Sequence, residues 1–119
     1  MPSVAVIGAS NHRNKYGNKA VRAYLRQGWT VYPINPTETV IEGLPALPAI
    51  EAIAGPVDRA ALYVPPQVGI TLLPGIARKG VKELFLNPGS ESDALLAEAD
   101  RLQLPTVQAC AIVDIGERP

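Results

Sequence analysis

Four short apolar runs, each ended by glycine or proline and separated by stretches of helical spacing, leave this chain few ways to fold. The runs are residues 3–7, closed by Gly8; 30–34, closed by Asn35-Pro36; 60–64, closed by Pro65-Pro66; and 83–86, closed by Asn87-Pro88-Gly89. A weaker fifth run, 106–109, follows Pro105. Between Gly17 and Gly28, Ala20, Val21, Tyr24 and Leu25 share one helical face while Lys19, Arg22 and Arg26 fall elsewhere, and Gly28 stands where a left-handed C-terminal residue belongs. Residues 66–79 suit a helix ended by Gly80, with Pro74 expected to kink or restart it. Residues 91–102 read as a helix with Ser90 as N-cap and Asp93 completing a capping-box-like pair. The stretch 38–55 reads as turns at Gly43, Pro45 and Pro48, followed by a short helix around 49–54.

Strands that alternate with helices imply a parallel sheet covered on both faces. The expected architecture is a doubly wound, Rossmann-like α/β fold of about five strands, with residues 1–119 forming one domain. A hydrophobic content of 47% supports an ordinary core, and a chain of this length buries roughly two-thirds of its unfolded surface. Cys110 is the only cysteine, so no intrachain disulfide helps. A reducing, cytoplasmic setting is expected, because the N-terminus carries no basic leader before its apolar run and no apolar stretch approaches membrane-spanning length.

In such sheets ligands bind beyond the carboxyl ends of the strands, so each strand-end tail is a candidate. Charge narrows the choice. Net charge is zero, which argues against a broad nucleic-acid surface, yet residues 1–37 hold five basic groups (Arg13, Lys15, Lys19, Arg22, Arg26) and no acidic one. An anion should prefer that third, although Arg22 and Arg26 could equally solvate a helix face.

The first tail, from Gly8 through Ala9, Ser10, Asn11, Arg13, Lys15, Tyr16 and Gly17 to Asn18, leaves a strand and enters a helix. Glycine permits a tight turn and close backbone approach, and a helix N-terminus offers unpaired N–H groups with partial positive charge, which suits phosphate. A polar loop that merely joins strand to helix would carry the same glycines. The spacing departs from the dinucleotide fingerprint, since the next glycine after Gly8 comes nine residues on. At the second tail a nicotinamide cofactor meets a carboxylate, but here stand Asn35, Pro36 and Thr37, with no acid before Glu38. A nucleotide phosphorylated on its ribose, such as coenzyme A, would avoid a carboxylate there. The fourth helix, capped by serine with Glu91 and Asp93 beside it, would repel phosphate. Val64-Pro65 and Asn87-Pro88-Gly89 are left to line the less charged part of a ligand, although prolines often do no more than end strands.

Catalytic equipment is sparse: His12 is the lone histidine, Cys110 has no second cysteine, no metal-ligand cluster is visible, and Ser10 lacks the surroundings of a nucleophile elbow. No catalytic residue or metal site is expected.

Taken together, Gly8-Ala9-Ser10, Lys15-Tyr16-Gly17-Asn18, Val31-Tyr32-Pro33-Ile34-Asn35-Pro36 and Ile41-Glu42-Gly43 resemble the bacterial CoA-binding domain family, which is similar to the N-terminal domain of the succinyl-CoA synthetase α subunit. The resemblance spans residues 3–113 and implies a five-stranded parallel sheet with CoA in its crevice. It implies ligand contacts at Gly8, Ala9, Ser10, Lys15, Tyr16, Gly17, Asn18, Asn35, Pro36, Val64, Pro65, Asn87, Pro88 and Gly89. Many members carry lysine where this chain has Thr37, which leaves one phosphate contact missing or supplied by Arg13; the fourth tail lacks the family's frequent glutamine before glycine. The synthetase's phosphohistidine belongs to a second domain, so ligase chemistry is not expected without a partner. The reading is therefore a CoA- or acyl-CoA-binding carrier, sensor or regulatory module, with a protein partner open. A small NAD(P)-binding oxidoreductase domain, or an interaction domain without ligand, are the alternatives.

Overall fold

The elements follow one another as β1 (Ser3–Ile7), α1 (Tyr16–Arg26), β2 (Thr30–Ile34), β3 (Val40–Ile41), β4 (Leu44–Pro45), a 3-10 turn (Ile50–Ala52), β5 (Arg59–Leu62), α2 (Pro66–Lys79), β6 (Glu83–Leu86), α3 (Asp93–Arg101), β7 (Thr106–Val107) and α4 (Ala111–Asp114). They come from a computed structural model that describes residues 2–119. Five strands form one parallel sheet in the order β2-β1-β5-β6-β7, while β3 and β4 pair as a separate antiparallel hairpin.

The interior strand β1, flanked by β2 and β5, shows why an apolar run was needed. All five residues of β1 are buried. Val4 and Val6 join the cluster built on Ala20, Val21, Tyr24 and Ile112 of α1 and α4, while Ala5 and Ile7 join the opposite cluster with Leu73 and Ile76 of α2 and Leu95 of α3. Strand periodicity sends alternate side chains to the two helical layers, so residues 4–7 are apolar on both faces, while the buried Ser3 at the strand's start has its hydroxyl bonded to Asp58. From β1 the chain moves outward to β2, then returns across β1 to place β5, β6 and β7 on its other side. The loops after β1 and β5 therefore diverge, opening a crevice at their carboxyl ends.

Gly28, at φ 80°, follows the end of α1 as its spacing predicts, and Gly80 closes α2 in the left-handed conformation. Leu25 does not join the buried face: it is exposed, because it lies past the edge of a stripe centred on Tyr24, whereas Asn18 and Ala23 are buried. α2 runs on through Pro74 rather than restarting. Its first residue is Pro66, where a missing N–H leaves no bond unmade.

Two further expectations are corrected. The N-cap of α3 is Ser92, whose hydroxyl accepts from the Leu95 amide at 3.1 Å, so Glu91 precedes the helix and Asp93 opens it. Ser90 instead turns inward and donates from Oγ to the Leu62 carbonyl at 3.0 Å. The stretch 38–55 holds the β3–β4 hairpin ahead of the 3-10 turn; strands of two residues carry too little periodicity to read.

At the amino ends of the strands, Arg59 is the one buried cation of the sheet. Its guanidinium lies 4.1 Å from the Phe85 ring centroid and 5.0 Å from that of Trp29. It donates to Glu83 and Asp114, each at 2.8 Å, and to the Tyr24 hydroxyl at 3.1 Å. One side chain thereby ties β5 to β6, α1 and α4, with its donors satisfied as burial requires.

Candidate functional site

The crevice is a cleft of about 1120 Å³, a size suited to a cofactor rather than a single ion. Every parallel strand sends its tail there: Gly8, Ala9, Ser10, Asn14, Lys15, Tyr16 and Gly17 after β1, Asn35 after β2, Tyr63, Val64 and Pro65 after β5, Asn87, Pro88, Gly89 and Ser90 after β6, and Cys110 after β7. Val113 and Pro119 complete the rim.

The loop after β1 owes its path to two glycines. Gly8 has φ 95°, and a Cβ there would lie 2.8 Å from the Tyr63 carbonyl oxygen. At Gly17 a Cβ would lie 2.1 Å from the Gly8 carbonyl oxygen, so the first turn of α1 rests directly on the end of β1. That contact aims the start of α1 at the cleft. Lys15, the N-cap of α1, makes no side-chain capping bond and the first turn holds no acid. The Asn18 amide already donates to the Lys15 carbonyl at 3.1 Å, which leaves the amides of Tyr16 and Gly17 and the partial positive charge of the helix start for an anion, with the Lys15 side chain adding a full charge. α3 is the contrast, closed by Ser92 and carrying Asp93 in its first turn.

The other tails are stitched in place. Asn35 donates from Nδ2 to the Ala9 carbonyl at 2.9 Å, and its Oδ1 accepts from the amides of Thr37 and Glu38, both at 2.9 Å. Both ends of this amide are occupied, and no carboxylate takes its place at the tail of β2. Asn87 is buried; its Nδ2 donates to the Leu62 carbonyl at 2.9 Å and its Oδ1 accepts from the Ala111 amide at 2.8 Å, which anchors α4 against the β6 tail. Pro88 and Gly89 are thus left to face the cleft with backbone and ring. Burial pushes the Tyr63 phenol up from its ordinary value, so it stays protonated, and its hydroxyl has no hydrogen-bond partner among the described residues.

Four expected contacts lie outside the cleft lining. Arg13 pairs with Glu42 at 3.2 Å rather than filling in for a lysine at position 37. Asn18 is fully buried, donating to the Ser10 carbonyl at 2.9 Å and to Glu42 at 3.0 Å, and accepting from Arg22 at 2.8 Å. Asn11 donates to Glu38 at 2.9 Å and to the Val40 carbonyl at 3.0 Å. Pro36 leads away from the cleft, and Lys15 is the cation that remains in its lining. Sequence reasoning passed over Asn14, Tyr63, Ser90, Cys110, Val113 and Pro119. The strand-end rule applied to the fifth run would have found Cys110, and Tyr63 directly precedes a residue already chosen. Among the described residues no three His, Cys, Asp or Glu side chains gather to hold a metal ion, and no helix is long and apolar enough to cross a membrane.

The chain is similar to several known proteins. The α subunit of an ADP-forming acetate–CoA ligase II from Pyrococcus furiosus is 39% identical over 86 residues, covering 70% of this chain and 18% of that subunit. A conserved hypothetical protein from Pyrococcus furiosus superposes with a TM-score of 0.88 at 29% identity, over 96% of this chain and 99% of its own. A dinucleotide-forming acetyl-coenzyme A synthetase 1 from Ca. Korarchaeum cryptofilum superposes with a TM-score of 0.79 at 27% identity, over 90% of this chain and 25% of its own. The chain therefore spans less than a fifth of the curated ligase subunit it matches. Residues 2–116 match the family described as CoA binding domain, and the chain belongs to that family.

Proposed function

We propose that this chain binds coenzyme A or acyl-CoA in the cleft, with the diphosphate against the loop 8–17 and the start of α1, and that it works as a carrier, sensor or regulatory module rather than as a complete ligase. The observation that carries the reading is the uncapped, acid-free N-terminus of α1 opening onto a cofactor-sized cleft beside Lys15. The apolar surfaces of Val64, Pro65 and Pro88 suit a pantetheine arm or an adenine, and Asn35 leaves the β2 tail without the acid that a ribose diol would need. A solved relative of nearly the same length supports a domain that stands alone. The ligase relatives, much longer than this chain, support a protein partner that supplies what these residues lack. A cytoplasmic setting belongs to the same proposal, since Cys110 is a free thiol at the cleft.

Calorimetry with CoA, dephospho-CoA and NADH tests it. CoA is expected to bind most tightly, more weakly in high salt, and about tenfold more weakly to Lys15→Ala, as the loss of a charge-assisted contact demands. Equal affinity for dephospho-CoA removes the role given to the ribose phosphate, and tighter binding of NADH overturns the reading in favour of a dinucleotide domain.

A further inference from the structure

The β3–β4 hairpin turns in two residues, Glu42 and Gly43, with φ of 49° and 77°. Two positive φ values in a two-residue loop are what such hairpins require, and the residues that accept them readily are Asn-Gly, Asp-Gly and Gly-Gly. Glycine fills the second place as expected. Glutamate in the first is a poor choice for the turn, because a long side chain with a Cβ is disfavoured in the left-handed region. A residue that works against its own turn points to a use for its side chain.

That side chain reaches into the candidate anion loop. The Glu42 carboxylate accepts from Asn18 Nδ2 at 3.0 Å and from Arg13 Nη1 at 3.2 Å. Asn18 Nδ2 donates its second hydrogen to the Ser10 carbonyl at 2.9 Å, and Arg22, bound to Asn18 Oδ1, donates to the Arg13 carbonyl at 2.9 Å. The carbonyls of Ser10 and Arg13 are therefore each held by a side-chain donor from α1, the first half-buried and the second exposed. Carbonyl oxygens turned toward the cleft would repel a phosphate, and donors turned toward it attract one. Ile41, fully buried, seats the hairpin in the α1 layer of the core and gives the latch a fixed base.

We propose that Glu42 is a positioning residue for anion binding: from the hairpin tip it fixes Asn18, and through Asn18 it holds the loop 8–17 with its carbonyls away from the cleft. The inference rests on the reading that CoA phosphates meet this loop. Arg13, whose pair with Glu42 is exposed, contributes little to the latch, since exposed pairs are weak and screened.

The test compares the full chain with Glu42→Asn and Glu42→Gln, measuring CoA affinity, melting temperature and amide exchange in the loop 8–17. Asparagine suits the turn better but is shorter, so Glu42→Asn is expected to melt no lower than the parent while binding CoA about tenfold more weakly and exchanging loop amides faster. Glu42→Gln keeps an acceptor for Asn18 and is expected to stay within about threefold of the parent affinity. Parent-level affinity in Glu42→Asn overturns the latch, as does an equal loss in Glu42→Gln, which would assign the effect to charge. Should Glu42→Asn fail to fold, Glu42→Gly, which suits the turn and carries no acceptor, takes its place with the same expected loss of affinity, and parent-level affinity in it overturns the latch. A parent chain that binds no CoA sinks the function proposed above, an outcome separate from a parent that binds while the variants match it.

Discussion

Gly17 carries more of this fold than its position in a polar loop suggests. Its φ is unexceptional, so conformational freedom is not the reason for glycine; space is, because a methyl group would meet the backbone of Gly8 at 2.1 Å. Backbone cannot swing aside as a flexible side chain can. Gly17→Ala is expected to lower stability by about 2–3 kcal/mol in denaturant titrations, the cost of overpacking a close contact, and to abolish CoA binding by lifting α1 off β1. An unchanged midpoint would mean that the loop absorbs the methyl group. Gly8 and Gly17 were legible as a turn and a helix start, but their mutual contact was not, since it joins residues nine apart through a path no local spacing encodes. Arg13 shows the converse. Basic residues before a helix read as anion contacts, yet Arg13 is claimed by Glu42, a residue that sequence distance hides.

At the scale of elements, what was legible followed periodicity length. The five residues of β1 and the eleven of α1 declare themselves, whereas β3 and β4, two residues each, declare nothing, and α4 is a single turn. Caps are harder still. Ser90 and Ser92 both precede the helix, and only packing decides between them: Ser90 is drawn in by the Leu62 carbonyl, leaving the cap to Ser92. Ser92→Ala is expected to cost about 1 kcal/mol of stability, the usual worth of an N-cap, while Ser92→Asn restores most of it. Thermal or denaturant unfolding of the two variants checks this, and a loss under a few tenths of a kcal/mol would return the capping role to Ser90. CoA affinity should be indifferent to both, because Ser92 lies outside the cleft lining.

Among the described residues six of the seven ion pairs join positions 24 or more apart, so much of the molecule's response to acid is a tertiary property. The Asp58 carboxylate, bonded to Lys82 and to the amide and hydroxyl of Ser3, titrates below its ordinary value of 3.8. Arg26 and Gln27 hold Glu117 below the usual carboxylate range, and Arg101 does the same for Glu98. A carboxylate depressed in the folded state binds fewer protons there than in the unfolded chain. Its stabilisation is complete above the ordinary value and is lost as pH falls through the folded one. The melting temperature is therefore expected to fall as pH drops from about 5 through the carboxylate range, and Asp58→Asn should flatten part of that descent. An identical slope in the variant would relieve Asp58 of the role. The fold class was legible because alternation of strands and helices fixes layers, and the family was legible because its motifs recur in order. Which cations meet the cleft was not, because partners such as Glu42 and Glu117 come from elsewhere in the chain.

The guanidinium of Arg59, gripped between two aromatic rings and two acids, sits at the far end of the strands from the opening. A boat built this way carries its keel beneath and its rigging above. Loops at the mouth, the Gly8–Gly17 contact apart, can be rewritten by drift or by a designer with little loss of hull, whereas exchanging that one arginine would leave two carboxylates without their partner at once. Retargeting the opening to another cofactor should therefore prove easier than its share of the surface suggests.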